Sequence, residues 1–204
     1  MKIINPEEVK SEENPETEEI EPFPFIKGKN IDLCVRNSKL LKQYVRWKNH
    51  PRVRKYARNV VPRTLEYQKQ RFESKVEKFK DHISLDIWHK KDKKAIGNLG
   101  LGHIDWINGW ANAFLFIGEP EYWNKNIATE ATELLIEYAF NELNLNKLQG
   151  GAAVENIGSW TVAEKMGFKL EGIRKHTMYI DGKYVDVKTH SLLKKDWLNS
   201  KKIQ

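Results

Sequence analysis

The sequence predicts an α+β fold in which a mixed, mostly antiparallel central sheet carries helices on both faces. Three observations lead there. Asn108-Gly109 and Asp181-Gly182 are tight-turn signals that join strand-like segments as antiparallel neighbours. Apolar runs at 111–117 and 148–154 are separated by one amphipathic stretch, the pattern of strand, crossover helix and strand. The order along the chain is strand, two helices, three strands, helix, strand, helix and two strands, which suits a single mixed sheet.

Residues 1–24 combine Glu, Pro and Asn with few apolar side chains, so they are expected to form a flexible acidic tail, pinned at its end by Phe23-Pro24-Phe25. The domain is expected over 25–199, with a short tail at 200–204. Ile31, Leu33 and Val35 alternate with polar or small residues as in a strand. Ser38 caps a helix bearing Leu41, Tyr44, Val45 and Trp47, and Pro51 stops it. Thr64 opens a second helix with Phe72, Val76 and Phe79 on one face. Ile83, Leu85 and Ile87 form a strand, and the polar run 90–94 turns into a second at 95–104. Gly97, Gly100 and Gly102 in that second strand indicate bulges or close backbone approach. Ile127, Ala131, Leu134, Leu135 and Tyr138 share one face of the crossover helix. A short helix over 159–166 ends at Gly167, and a hairpin through Asp181-Gly182 closes the chain at about residue 193.

The 204 residues suit one domain, and no apolar run approaches the roughly 18–20 residues of a membrane span. The N-terminus lacks the basic start and apolar middle of a secretory signal, so a cytoplasmic location is expected. Cys34 is the single cysteine, which excludes an internal disulfide, and it reads as a small core hydrophobe. The six histidines lack metal-ligand spacing, so no metal is expected. Net charge is +7, yet eight glutamates against Lys2 and Lys10 give the first 22 residues −6, leaving +13 on the remainder. A body this basic suits nucleic acid, a phosphorylated coenzyme or a solvated lysine-rich surface; charge does not choose among them.

The stretch Glu119-Pro-Glu-Tyr-Trp-Asn-Lys-Asn-Ile-Ala-Thr-Glu-Ala131 follows an apolar strand and opens a helix. Free backbone N–H groups and the helix dipole meet there, as a pyrophosphate requires, although an ordinary strand-to-helix turn has the same pattern. The segment resembles the coenzyme A loop of GNAT acetyltransferases, above all the ribosomal-protein N-terminal and spermidine acetyltransferase subgroup. That subgroup usually reads Pro-Glu-Tyr-Trp-Gly-Lys-Gly-Ile-Ala-Thr-Glu-Ala. Glu155-Asn-Ile-Gly-Ser159 with Glu164-Lys-Met-Gly-Phe168 is similar to a second subgroup motif, and 170–174 with 182–187 to a third. The resemblance covers roughly residues 27–198.

The resemblance implies acetyl-CoA as cosubstrate, its pantetheine arm in a wedge between two splayed parallel strands and pairing with backbone at Phe116 and Ile117. It further assigns coenzyme contacts to Trp123, Asn124, Lys125, Asn126, Ile127, Ala128, Thr129 and Asn156. Ser159 matches a serine proposed to assist the leaving sulfur; a helix cap is its structural alternative. Asn124 and Asn126 replace the subgroup's glycines, and asparagine is the next residue most tolerant of a left-handed conformation. The tyrosine that acts as general acid in many GNAT enzymes aligns with Ala163, a glutamate of some relatives with Gly151 and a glutamate of one ribosomal-protein branch with Met178, so no inherited general base remains. Glu119, Glu121 and His103 are the candidates for that work through water. The acceptor is expected to be a primary amine, foremost a protein N-terminus. Polyamines, aminoglycosides and amino sugars are alternatives, as is a catalytically weak binding protein. A homodimer is left open, and direct nucleic-acid binding is the weakest reading.

Overall fold

Alternation of apolar and polar residues becomes a single eight-stranded sheet in the computed structural model, which describes residues 21–57, 60–76 and 81–202. The strands are β1 (Pro24–Lys27), β2 (Ile31–Val35), β3 (His82–His89), β4 (Lys94–Asp105), β5 (Trp110–Ile117), β6 (Lys147–Ala153), β7 (Lys169–Ile180) and β8 (Lys183–Leu193). Their order is β1-β2-β3-β4-β5-β6-β8-β7, and among the described residues only the β5–β6 pair is parallel. The helices are α1 (Leu41–Asn49), α2 (Pro51–Ala57), α3 (Leu65–Val76), α4 (Ile127–Glu137), α5 (Ile157–Lys165) and α6 (Lys194–Lys201). The crossover α4 supplies the length that a parallel connection needs.

Each face of the sheet buries its own layer. Ile31, Leu33, Ile87, Leu99 and Leu148 pack with Ala131 and Leu135 of α4, Phe140 and Trp197 of α6. On the opposite face Cys34 and Trp88 pack with Tyr44 and Trp47 of α1, and Phe72 of α3 lies against them. Cys34 is the small hydrophobe expected, and burial pushes its thiol up to about 12.

The turn residues behave as their chemistry dictates. Gly109, Asp181 and Gly182 have φ of 68°, 49° and 82°, and Gly167 ends α5 at 86°. Gly97 and Gly100 mark close approach: a Cβ there would meet the Phe116 and Ile83 carbonyl oxygens at 2.4 and 2.0 Å.

Four expectations need correction. Pro24 already belongs to β1, where proline is tolerated at the first position, so the domain starts earlier than residue 25. Asn37, not Ser38, is the cap, its side chain accepting from Lys39 N at 2.9 Å. Pro51 ends α1 by forcing His50 to an extended ψ of 124°, but it also starts α2 from the first helical position, where its missing N–H costs nothing. After β8 the chain forms α6, which reaches Lys201 instead of leaving a tail from residue 200 and is anchored by Trp197 against the Phe140 ring at 5.5 Å. The acidic stretch up to residue 20, and Phe79 of the second helical pattern, lie outside the described residues.

Candidate functional site

The parallel pair opens where it ends. β5 and β6 stay in register only from Trp110↔Lys147 to Asn112↔Gln149, after which β6 continues beside β8 and β5 beside β4. A gap therefore forms at the carboxyl ends of two parallel strands, and the chain returns from each into a helix whose N-terminus faces that edge, α4 after β5 and α5 after β6.

The turn from β5 into α4 is built around two left-handed residues. Asn124 and Asn126 have φ of 60° and 58°, the region that glycine enters freely and asparagine tolerates best. Asn126 is the N-cap of α4, and the N–H groups of Ile127, Ala128 and Thr129 in the first turn lack intrahelical acceptors by helix geometry. Cations surround them. Lys94 and Lys125 stand 5.0 and 5.2 Å from the Tyr122 ring, and Arg52 lies 4.7 Å over Trp123. Tyr122 is fastened from below, donating its hydroxyl to Asp92; burial foremost, then that carboxylate, pushes the phenol well above its ordinary value. These groups fit an anion such as a pyrophosphate.

The edge of β5 divides its duties by residue parity. The Phe116 carbonyl is turned toward Gly97 on β4, and the Ile117 carbonyl accepts from Trp123 Nε1 at 3.1 Å. Backbone groups of successive strand residues point to opposite sides, so Leu115 shares the side of Ile117 and Phe116 does not. Pairing by the Phe116 backbone toward the gap, as expected from the sequence, is therefore corrected: Phe116 sends its ring into a cavity instead.

Glu119 is no exposed loop acid. It is buried, and its Oε1 accepts from Trp47 Nε1 at 2.7 Å and from the side chains of Gln43 and Arg46, tying α1 to the turn. Gly118 makes room for this, since a Cβ there would lie 2.2 Å from Trp47 Cγ. Glu121 is exposed and pairs with Lys94 at 3.3 Å. His103 sits at a bulge with φ of 51°, five residues along β4 from the Asn98 level, roughly 16 Å away in an extended strand, so it does not belong to the site.

Asn156 occupies the N-cap position of α5, and Ser159 is its third residue, exposed, donating its backbone N–H to the Asn156 carbonyl at 3.1 Å. The alternative of Ser159 as the cap is thereby corrected. Helix α2, invisible in the sequence pattern, spans both loops, with Arg52 over Trp123 and the Tyr56 hydroxyl reaching the Glu155 carbonyl at 3.5 Å.

Sequence reasoning missed the cavity beside β5. It holds about 220 Å³ and is lined by Arg36, Lys48, Arg63, Arg71, His82 and Phe116, with further residues from α1, α3 and β4. Behind its Tyr44 and Arg36 side chains, Asp86 accepts from the Tyr44 hydroxyl at 2.5 Å and forms an ion pair with Arg36 Nε at 3.8 Å. Burial outweighs these partners and pushes Asp86 up to about 6.

The comparisons with known proteins meet this geometry. Residues 35–169 match the acetyltransferase (GNAT) domain family. The chain is 37% identical over 110 residues to a Bacillus subtilis protein provisionally named ribosomal N-acetyltransferase YdaF, covering 54% of this chain and 60% of that one. It is 30% identical over 147 residues to the Vibrio cholerae spermidine N(1)-acetyltransferase, 70% of this chain and 84% of that one. The chain thus spans about three-fifths of the first relative's length and more of the second's. The structure of the Vibrio cholerae enzyme in complex with CoA and spermine has the same fold, with a TM-score of 0.77 at 24% identity over 83% of this chain and 99% of that one. A solved probable acetyltransferase gives 0.74 at 28% identity, over 84% and 98%. The match over residues 35–169, on a fold whose one parallel pair splays beside two helix N-termini, settles the family: the chain belongs to the GNAT acetyltransferases.

Proposed function

We propose that the protein transfers an acetyl group from acetyl-CoA to a primary amine, foremost the N-terminal α-amine of a protein. The observation that carries this reading is the splayed β5–β6 pair with the Asn124–Thr129 turn at its mouth. The backbone N–H groups of Asn124, Lys125, Asn126, Ile127, Ala128 and Thr129 take the pyrophosphate, with Lys125 adding charge. Trp123 and Ile117 border the pantetheine arm, and Asn156 meets it from α5. Leu115 and Ile117 offer the backbone edge along which the arm extends. The amine attacks the thioester carbonyl directly; the ammonium formed on attack gives up a proton through water to the Ser159 hydroxyl as that hydroxyl passes its own proton to the leaving thiolate. Glu119 acts as a positioning residue that fixes α1 against the turn, on the support of its three donors.

The relative named for ribosomal N-acetylation supports the peptide amine, and the cationic cavity beside β5 gives no support to a polyamine. A cytoplasmic setting belongs to the same reading. So does a homodimer, supported by exposed Leu170, Ile173 and Tyr179 on the edge strand β7.

The test has two parts. Acetyl-CoA at about 100 times its dissociation constant should stabilise the protein by about 2.7 kcal/mol in a thermal-shift titration. Mass spectrometry should then find one added acetyl group on N-terminal peptides. Absence of stabilisation at millimolar coenzyme, or of transfer to any amine, overturns the proposal.

A further inference from the structure

We infer that the Gln68 carboxamide reads the backbone of a peptide acceptor, pairing with the N–H and C=O of the acceptor's second residue in the cavity beside β5. The inference rests on the acetyltransferase reading and deepens it by naming a residue that sets acceptor specificity.

Helix α3 puts a polar side chain at its deepest position. Thr64 opens the helix, its hydroxyl accepting from the Tyr67 N–H at 3.1 Å, and the Gln68 N–H donates to the Thr64 carbonyl at 3.1 Å. That first turn carries Gln68 to 6% exposure, whereas Phe72, four residues on along the same face, is only half-buried. Among the described residues of α3, Gln68 has the one buried side chain. Its carboxamide lines the cavity and makes no hydrogen bond among the described residues. The amide of Asn98, in the same cavity wall, shows the contrast. Its Nδ2 donates to the Leu85 carbonyl at 2.6 Å, and its Oδ1 accepts from the Ser84 hydroxyl at 3.1 Å. A buried amide without partners destabilises a fold, and a leucine of similar size would fill the place without that cost. Packing therefore gives no reason for glutamine at this position, and a ligand does.

The chemistry of the amide narrows that ligand. A carboxamide offers an acceptor oxygen and donor N–H groups side by side. An ammonium satisfies only the oxygen, and a carboxylate only the donors. A residue in an extended chain turns its N–H and C=O to the same side, as in the hydrogen-bonded pairs of an antiparallel sheet, so a peptide satisfies both at once. The walls suit its flat backbone: the Phe114 and His82 rings stack 5.3 Å apart with 13° between their planes, and Phe116 lies two residues along the same face of β5. A volume of about 220 Å³ is below that of drug-sized sites, so only the leading residues of a chain enter. Position ties the cavity to the reaction, because Phe116 is followed by Ile117, which borders the gap assigned to the thioester arm.

The experiment compares acetylation of Ser-Ala-Ala-Ala with that of the same peptide N-methylated at its second residue, with spermidine and glucosamine as further arms. Each is run on the unaltered protein and on Gln68→Leu. N-methylation removes the one N–H that the Gln68 oxygen would accept. The expected result is that kcat/KM falls about tenfold or more when either partner is altered and little further when both are, since each change removes the same contact. Without substrate, Gln68→Leu should keep or raise the Tm, and acetyl-CoA should raise it as much as in the parent. A lowered Tm with rates falling equally for every acceptor makes Gln68 structural and overturns the inference. So do additive effects of the two changes, effects within about twofold, or faster acetylation of spermidine or glucosamine than of the peptide; each leaves the acetyltransferase reading standing. If no amine is acetylated, that reading falls, and N-acetylated Ser-Ala-Ala-Ala is tested by thermal shift. Stabilisation of the parent and not of Gln68→Leu then keeps the peptide site; equal stabilisation, or none, overturns it as well.

Discussion

Replacing Glu119 by Gln and by Ala separates a positioning carboxylate from a catalytic one. Gln keeps an oxygen for the Trp47 indole and loses the charge opposite Arg46. The Arg46 side chain is 61% exposed, so water screens that pair and its loss costs about 0.5–1 kcal/mol. Ala leaves the indole N–H of a residue that is 1% exposed without an acceptor, about 1–3 kcal/mol, and opens a small void beside Gly118. Its total cost is about 2–4 kcal/mol. Denaturant melts read the stability, and steady-state kinetics with acetyl-CoA and an N-terminal peptide read the chemistry. The expected outcome is that Gln holds kcat within about threefold, whereas losing a general base costs about 10²–10⁴-fold. Ala should lower stability and activity together, because α1 loses its tie to the turn. A Gln variant as stable as the parent but slowed a hundredfold or more refutes the positioning role and makes Glu119 the base.

Two further perturbations probe the same neighbourhood. Asp86 is raised from 3.8 to about 6, so folding favours its protonated form: that stabilisation is complete below about 3.8 and is lost as pH rises through about 6. Asp86→Asn keeps an acceptor for Tyr44 and abolishes the titration, so its stability relative to the parent should rise by about 3 kcal/mol between about pH 4 and about pH 8; a difference flat with pH sinks the assignment. At Asn126, with φ of 58°, Ala should cost about 1 kcal/mol and Gly less than that, with acetyl-CoA affinity in Asn126→Gly within about threefold of the parent. Calorimetric titration showing tenfold tighter binding to the glycine variant would mean that the asparagine side chain crowds the pyrophosphate.

What could be read from the sequence was local. Asp181-Gly182 and Asn108-Gly109 dictate turns because few residues adopt positive φ, and the face shared by Ile127, Ala131 and Leu135 fixes α4 by its period. The left-handed asparagines of the turn between β5 and α4 follow from the same reasoning. Helix α2 escaped because Pro51 is both a stop signal for the helix before it and a start signal for its own, and α6 because Trp197 is its one buried anchor. Tertiary placement was illegible. Glu119 meets Gln43, Arg46 and Trp47, more than seventy residues earlier, so a reader of the turn alone sees an exposed acid. Arg36, Lys48, Arg63 and Arg71 read singly as solvated charge, and only packing α1 and α3 on the sheet brings them to one cavity.

The excess of positive charge therefore has two destinations on either side of one strand. Toward the gap, β5 presents the backbone edge at Ile117, continuous with the α4 N-terminus, Lys125 and Arg52, a set of N–H groups and cations that fits a phosphorylated ligand. Toward the cavity it presents the Phe116 ring under Lys48, in the company of three arginines. Strand alternation keeps the two environments apart while holding them one residue from each other.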